Sequence, residues 1–471
     1  MAYGEFEIGR KYHCREETTG LALTGFFHIE RDTIEAEFFS YAKYFHLDCE
    51  DCLVLRTEEN HVVSLHDNIP GGTGTNSAQP SLLTYNAIVI SNLAVMGRDP
   101  WSPTDFVHQV FFRITHTDDT LKHMPTFDRV VQTKIGTDIN TEIFSARVAN
   151  ATISASYNYS GKTGYDYPHD VRAALAVEFD APQTLVQYRR FVQAIVRFFS
   201  AVVGIPLNAF DIGISRLDER EQRTAIEART YYGNHKVFEI QDAHELNRNR
   251  VRLWGGCQFA HSRTDNELNA LVACLVEWMR REPVWTGPTV LMMESMRMDR
   301  VMSADRLLTA CKWFEEIPGT RSIPAIKGED IQTLAKLTGE KAVELGYSDI
   351  AGRVAGAIKG LSKETRMQQL ERVVAEVRTV FGNDCLDSDI VTYLAKAYGF
   401  RGRAAHGHFS PADDREYSEF AKSVHAMECI SYLLTIKELP MLDGGRRRVL
   451  SNPLVRAYKT TFMYGDKRKD K

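Results

Sequence analysis

Many of the features that classify a chain at a glance are missing from these 471 residues. The formal charge is nearly balanced, −5 from 57 Lys+Arg against 62 Asp+Glu, which excludes a uniformly basic nucleic-acid binder but leaves room for a local patch. No apolar run is long and clean enough to span a bilayer. The most apolar stretch, Leu185 to Val203, is interrupted by Arg189, Arg190 and Arg197. The N-terminal segment MAYGEFEIGRK has no apolar h-region, so a secretory signal is not expected; a cytoplasmic protein without membrane contact is. Eight cysteines, at 14, 49, 52, 257, 274, 311, 385 and 429, are too scattered for a disulfide framework, and reduced, buried thiols are expected. Repeats and low-complexity tracts are absent. With 44% apolar and 25% charged residues, a mostly disordered chain is excluded too.

Familiar catalytic signatures are also missing. There is no Gly-x-Ser-x-Gly elbow, no His-Glu-x-x-His and no kinase signature set. Cys49-x-x-Cys52 with His61-x4-His66 resembles a compressed zinc pattern, but eight residues separate the pairs where about 12 are usual. Ordinary strand residues are the expectation there. Pro70–Thr75 is Gly-rich, yet it lacks the Lys-Ser/Thr of a P-loop and precedes an extended segment, so a surface loop is expected. Neither a metal site nor a cofactor is expected.

At about 100–200 residues per domain, the length allows two to four domains. The first half reads as β: Leu21–Ile29, Thr33–Phe39, Cys52–Arg56, Val62–Leu65, Ser81–Leu93, Phe106–Ile114 and Val171–Phe179 are short and rich in Val, Ile, Phe and Thr. Gly, Pro, Asn and Asp punctuate them, as in an antiparallel sandwich or barrel-like sheet, and Thr57–His61 reads as a hairpin loop. Gln183 to Val203 breaks the pattern with helical spacing and stops at Gly204 and Pro206. From about Glu245 the chain reads as helical, through Leu268–Arg281, Ser303–Ile317, Glu364–Phe381, a helix from an N-cap at Ser388 to about Tyr398, and a last helix carrying Phe420, Val424, Met427, Ser431 and Leu434. The expected class is α+β: a β-rich module (1–245), a helical region (246–440) and a basic C-terminal tail (441–471). That tail holds nine basic residues against three acids, +6, leaving −11 elsewhere. It reads either as a lure for an anionic partner such as RNA or as a solvated, frayed end.

One segment carries chemistry, Arg401-Gly-Arg403-Ala-Ala-His406-Gly-His408. Spacing alone is weak evidence. Of three Arg-x4-His pairs, one (Arg56/His61) falls in the β hairpin, beside Arg401/His406 and Arg403/His408. The latter two overlap after an amphipathic pattern and before another helix, among small residues that permit close approach. In a regular helix, five residues turn through about 500°, setting Arg401 and His406 about 140° apart. A turn at Gly402 would converge them, or a site would draw on two chains. A polar helix–helix turn with solvated arginines is the other reading of the same residues.

Arg401-Gly-Arg-Ala-Ala-His406-Gly resembles the Arg-x4–6-His motif of HEPN domains, the helical ribonuclease domains of prokaryotic defence and toxin systems. The β-rich half resembles the domain that precedes HEPN in the ApeA-type anti-phage family, through Cys52–His66 and Phe111–Asp119, while Arg306–Glu316 resembles its first HEPN helix. Gly402 stands where the motif usually has Asn. The resemblance implies an all-α HEPN bundle and metal-independent endoribonuclease activity in anti-phage defence. It implies Arg401 on the scissile phosphate, His406 in proton transfer, and Arg403 and His408 positioning RNA. It further implies a homodimer or higher homo-oligomer, structured RNA with tRNA loops among the substrates, 2′,3′-cyclic phosphate and 5′-hydroxyl products, and gating by the β-rich module, with a phage-derived trigger among its partners. Two rival readings stay open: an inactive HEPN-like RNA-binding or dimerisation unit, and a structural scaffold.

Overall fold

A computed structural model describes residues 8–21, 23–30, 33–40, 52–79, 82–135, 139–160, 167–228, 233–239, 258–298, 302–324, 326–360, 363–407 and 411–465. Contacts group the chain into two units: Met1–Phe199, Leu207–Leu253 and His261–Arg280 in the first, and Ser200–Pro206, Trp254–Ala260 and Arg281–Lys471 in the second. The fold is α+β.

The first unit begins with six antiparallel strands, β1 (Lys11–Glu16), β2 (Thr24–Ile29), β3 (Ile34–Ser40), β4 (Cys52–Thr57), β5 (Val62–Gln79) and β6 (Leu82–Gly97). They lie in the order β3-β2-β1-β4-β5-β6, and β3 pairs back onto β6 from Ile34↔Ser91 to Ser40↔Tyr85. That last pairing closes a barrel. Burial alternates along each short strand, as in Lys11–Glu16 and Cys52–Thr57, because successive side chains point to opposite faces. The inward set, including Phe27, Ile34, Phe38, Leu53, Leu55, Val63, Leu65 and Val89, fills the interior with apolar side chains.

The sheet continues from β6 through β12 (His235–Glu239), β11 (Ala209–Ser215), β7 (Val107–Ile114), β10 (His169–Gln183), β9 (Ala151–Ser160) and β8 (Glu142–Val148). Among the described residues, this stretch of sequence holds α1 (Met124–Gln132), α2 (Leu185–Val203) and α3 (Glu219–Glu227). Phe179 of β10 meets Phe191 of α2 edge-on, at 5.3 Å between centroids.

One expectation for this unit is corrected. The Gly-rich segment Pro70–Thr75 is not a loop but the middle of β5, paired with β6 from Pro70↔Val89 to Thr75↔Tyr85. The strand absorbs the irregularity as a register shift between Pro70 and Gly72, which is how a proline without an N–H is accommodated in a ladder. The compressed zinc pattern is pulled apart. Cys52 sits opposite His66, but His61 lies just before β5 and five residues from His66 within it, about 16 Å at strand rise. Cys49 falls outside the described residues.

The second unit is helical: α4 (Asp265–Arg297, its latter part in this unit), α5 (Ala304–Glu316), α6 (Gly328–Glu344), α7 (Ser348–Gly360), α8 (Arg366–Phe381), α9 (Ile390–Ala405), α10 (Asp414–Ile436), α11 (Asp443–Val449) and α12 (Pro453–Gly465). Helix α10 is buried on all sides from Lys422 to Ile436 apart from His425, the mark of a central core helix. The apolar stripe of α8, Leu370, Val373, Val374 and Val377, is buried, whereas Met367 is exposed. Helix α4 runs on past Arg281 through Pro283 and Pro288. The segment after Met441 is no frayed tail as far as residue 465: Val449, Val455 and Tyr458 are buried, and the Tyr458 hydroxyl accepts from the Asp387 N–H at 2.9 Å. Lys467, Arg468, Lys469 and Lys471 fall outside the described residues. Among the described residues, no helix is long and apolar enough to cross a membrane.

Candidate functional site

Three helices of the second unit set the geometry around Arg401. The hydroxyl of Ser303 caps α5 by accepting from the Arg306 N–H at 3.2 Å. Leu307, Ala310, Cys311, Trp313 and Phe314 then face inward. Arg306 and Glu428 of α10 form a fully buried, two-pronged ion pair with both contacts at 2.7 Å, and the Ser295 hydroxyl donates to the same carboxylate. Its planar fork fixes the α5–α10 register. The Trp313 indole donates to Thr435 Oγ1 at 3.2 Å. Helix α9 joins through Leu394, Ala397 and Phe400, the last edge-on to Phe420 at 5.6 Å.

Helix α9 does not stop near Tyr398. It starts at Ile390 after Asp389, with no side-chain cap, and runs to Ala405. The Arg–His segment is therefore helical. Phe400 holds the last turns against the core, and Ala404 and Ala405 are strong helix formers. The chain reverses only at His406 (φ −96°, ψ 11°) and Gly407 (φ +71°), whose N–H bonds the Ala404 carbonyl at 3.1 Å. Gly407 supplies the left-handed residue that ends the helix. Gly402 lies inside α9 and makes no turn, so it cannot converge Arg401 with His406. Along the helix the two are about 7.5 Å apart in rise and about 140° apart in direction.

Arg401 points toward α5, where Nη1 pairs with Glu315 Oε1. Arg366, the first residue of α8, lies 4.0 Å from the same carboxylate oxygen. Both guanidinium groups approach Tyr398, Arg366 at 4.2 Å and Arg401 at 5.9 Å from the ring centre. Burial pushes the Tyr398 hydroxyl up, so it stays protonated. The Cys311 thiol beneath is pushed up to about 12 by burial, which leaves it a packing group rather than a nucleophile. The local sum is two guanidinium charges against one carboxylate.

Arg403 turns the other way. Its Nη2 lies 2.6 Å from Glu416 Oε1 in the first turn of α10, and its guanidinium covers the Phe400 ring at 5.0 Å. The Ala412 N–H and then Arg403 hold the Glu416 carboxyl below the usual range. His406 is exposed at the end of α9, and its imidazole has no hydrogen-bond partner among the described residues. His408 falls outside the described residues. The structure thus places Arg401, Arg403 and His406 on one helix end but does not bring Arg401 and His406 into one pocket of a single chain.

Glu315, Arg366 and Tyr398 escaped the sequence reading. Tyr398 and Arg401, three apart on one helix, were a signal within reach. The pairing of Arg401 with Glu315 spans 86 residues and left no local trace. Among the described residues, no group of three or more His, Cys, Asp and Glu side chains is placed to hold a metal ion. Comparisons with protein-family models, curated proteins and solved structures found no match.

Proposed function

We propose that this chain is a HEPN-type endoribonuclease of anti-phage defence that needs no metal ion. The observation that carries the reading is an exposed imidazole, His406, with no hydrogen-bond partner among the described residues, closing the helix that bears Arg401 and Arg403. RNA provides its own nucleophile, the 2′-hydroxyl next to the scissile phosphate. Attack of that oxygen on phosphorus expels the 5′-oxygen, leaving a 2′,3′-cyclic phosphate and a 5′-hydroxyl. The reaction requires one group to take the 2′ proton, one to protonate the leaving oxygen, and positive charge at the phosphorane. Imidazole suits proton transfer near neutrality, worth about 10²–10⁴-fold. A guanidinium stays charged and matches phosphate oxygens with a planar fork.

Arg401 is assigned to the phosphate, His406 to proton transfer and Arg403 to RNA positioning. Arg366 adds a second guanidinium beside Arg401. Because Arg401 and His406 diverge on one helix, the complete site joins Arg401 of one chain with His406 of another in a homodimer. The β-rich unit is the gate, and structured RNA with exposed loops, tRNA included, is the substrate class, since unpaired loops offer accessible 2′-hydroxyls. His408 has its RNA-positioning role from the family resemblance alone.

One observation favours a second reading, an inactive HEPN-like RNA-binding or dimerisation unit: both arginines already hold carboxylates, Glu315 and Glu416. The deciding experiment incubates purified protein with a cellular RNA pool in EDTA. The ribonuclease reading expects cyclic-phosphate ends from wild type and none from His406→Ala or Arg401→Ala. Ends identical in wild type and both variants, or a strict need for a divalent ion, reject it.

A further inference from the structure

The β-rich unit contains a cavity of about 350 Å³ beside the end of β6, lined by residues of β6, β7, β11 and β12 and by His61. Its size is at the lower end of the range for small-molecule sites, about 300–1,000 Å³, and suits a ligand of mononucleotide size. One wall is firmly built. Trp101 lies between Arg216, 4.5 Å over its ring, and His235, edge-on at 5.0 Å. Arg216 in turn pairs with Asp99 and, at 2.7 Å, with Asp105. His235 packs so closely on Gly97 that a Cβ there would meet its ring at 2.1 Å. Burial lowers the His235 imidazole below its ordinary value, with Asp99 pulling the other way, so the ring is mainly neutral at pH 7. Asp99 is spent on Arg216.

Two side chains in this lining have no partner among the described residues. Lys236 is an exposed cation at the start of β12. Asp211 sits in β11 at φ +55°, where the β11–β7 register breaks between Phe210 and Gly213. Bulges of this kind turn a side chain out of the ladder. Arg98, which already has a contact of its own, and the half-buried ring of Phe111 also line the cavity.

We infer that this cavity binds a nucleoside phosphate: Phe111 stacks on the base, Asp211 accepts its N–H donors, and Lys236 with Arg98 holds the phosphate. A stacking face, an acceptor-only group and a pair of cations are the complementary features of such a ligand. Guanine, with adjacent N–H donors for both carboxylate oxygens, is the best-matched base. The inference stands apart from the ribonuclease reading, because it concerns the other unit and is read by binding alone.

Isothermal titration of the full-length chain with GMP, AMP, CMP and UMP tests it. At least one should bind with a dissociation constant below about 100 µM, GMP ahead of UMP. Lys236→Ala combined with Arg98→Ala should weaken that binding at least tenfold. Asp211→Asn keeps a residue that tolerates the left-handed backbone and should shrink the preference for GMP at least fivefold. A short RNA that competes with the nucleotide in wild type identifies a chain terminus as the natural source, and failure to compete identifies free nucleotide. No heat with any of the four, or binding unaltered in these variants, overturns the assignment.

Discussion

Glu315→Gln is expected to strengthen RNA binding, which is unusual for a substitution beside an arginine proposed to hold the scissile phosphate. The Arg401 and Glu315 side chains are 35% and 31% exposed, so solvent screens their attraction strongly. Pairs of that kind are worth about 0.2–1 kcal/mol. A phosphate must displace the Glu315 carboxylate before it can take the Arg401 fork. Neutralising Glu315 returns at most about 1 kcal/mol to the complex, about a fivefold gain in affinity. The freed charge also adds a phosphate contact, so the slope of log K against log salt steepens by about 0.7 on a single-stranded loop. Fluorescence anisotropy, with RNA carrying 2′-O-methyl groups to block cleavage, reads both quantities from about 50 to about 200 mM salt. Arg401→Ala should reverse the gain and leave Glu315→Gln without further effect. Weaker binding in Glu315→Gln, or no change in Arg401→Ala, would show that the pair is structural and refute the displacement argument.

The other expectations concern the frame and the assembly. Arg306→Met leaves the buried Glu428 carboxylate uncompensated and should cost about 3–5 kcal/mol in urea unfolding, whereas a pair worth under 1 kcal/mol would contradict the burial seen here. Gly407→Ala forces a side chain into the left-handed region, so unfolding should report about 1–2 kcal/mol lost and cleavage should fall with it; unchanged cleavage would separate the turn from the site. Mixing Arg401→Ala with His406→Ala chains should restore activity if each site takes one residue from each chain, and inactive mixed dimers would rule that out. Arg372 holds the Glu364 carboxyl below its ordinary value, so Glu364 stabilises the folded chain above the ordinary carboxylate pKa and loses that contribution as pH falls through the depressed value. Melting curves between about pH 6 and about pH 3 should therefore fall less steeply for Glu364→Gln than for wild type.

Local chemistry made much of the fold legible. Cys52–Thr57 and its neighbours alternate inward and outward as strands must, whereas the expected N-cap Ser388 caps nothing: α9 starts after Asp389 with no side-chain cap, and the hydroxyls that do cap, Ser303 and Thr365, went unread. What escaped was decided elsewhere in the chain. Pro70–Thr75 looks like a loop until β6 is laid beside it. Helices α6 and α7 carry Gly339, Gly352 and Gly356, which blur a helical pattern, and they pack mainly on each other. The insertion of β12 between β6 and β11 joins segments far apart in sequence, and no periodicity encodes it. At the candidate site the residue types were legible, but their orientations were not. Arg401 and Arg403 look equivalent in sequence, yet one meets α5 and the other α10.

The most direct test of the central claim is RNA-end sequencing with a ligation step selective for 2′,3′-cyclic phosphates. It should be run in cells expressing wild type or His406→Ala, each with and without phage challenge. New cyclic-phosphate ends are expected at defined loop positions in challenged wild-type cells, and their loss in the variant. End profiles that match between wild type and His406→Ala under challenge would contradict it.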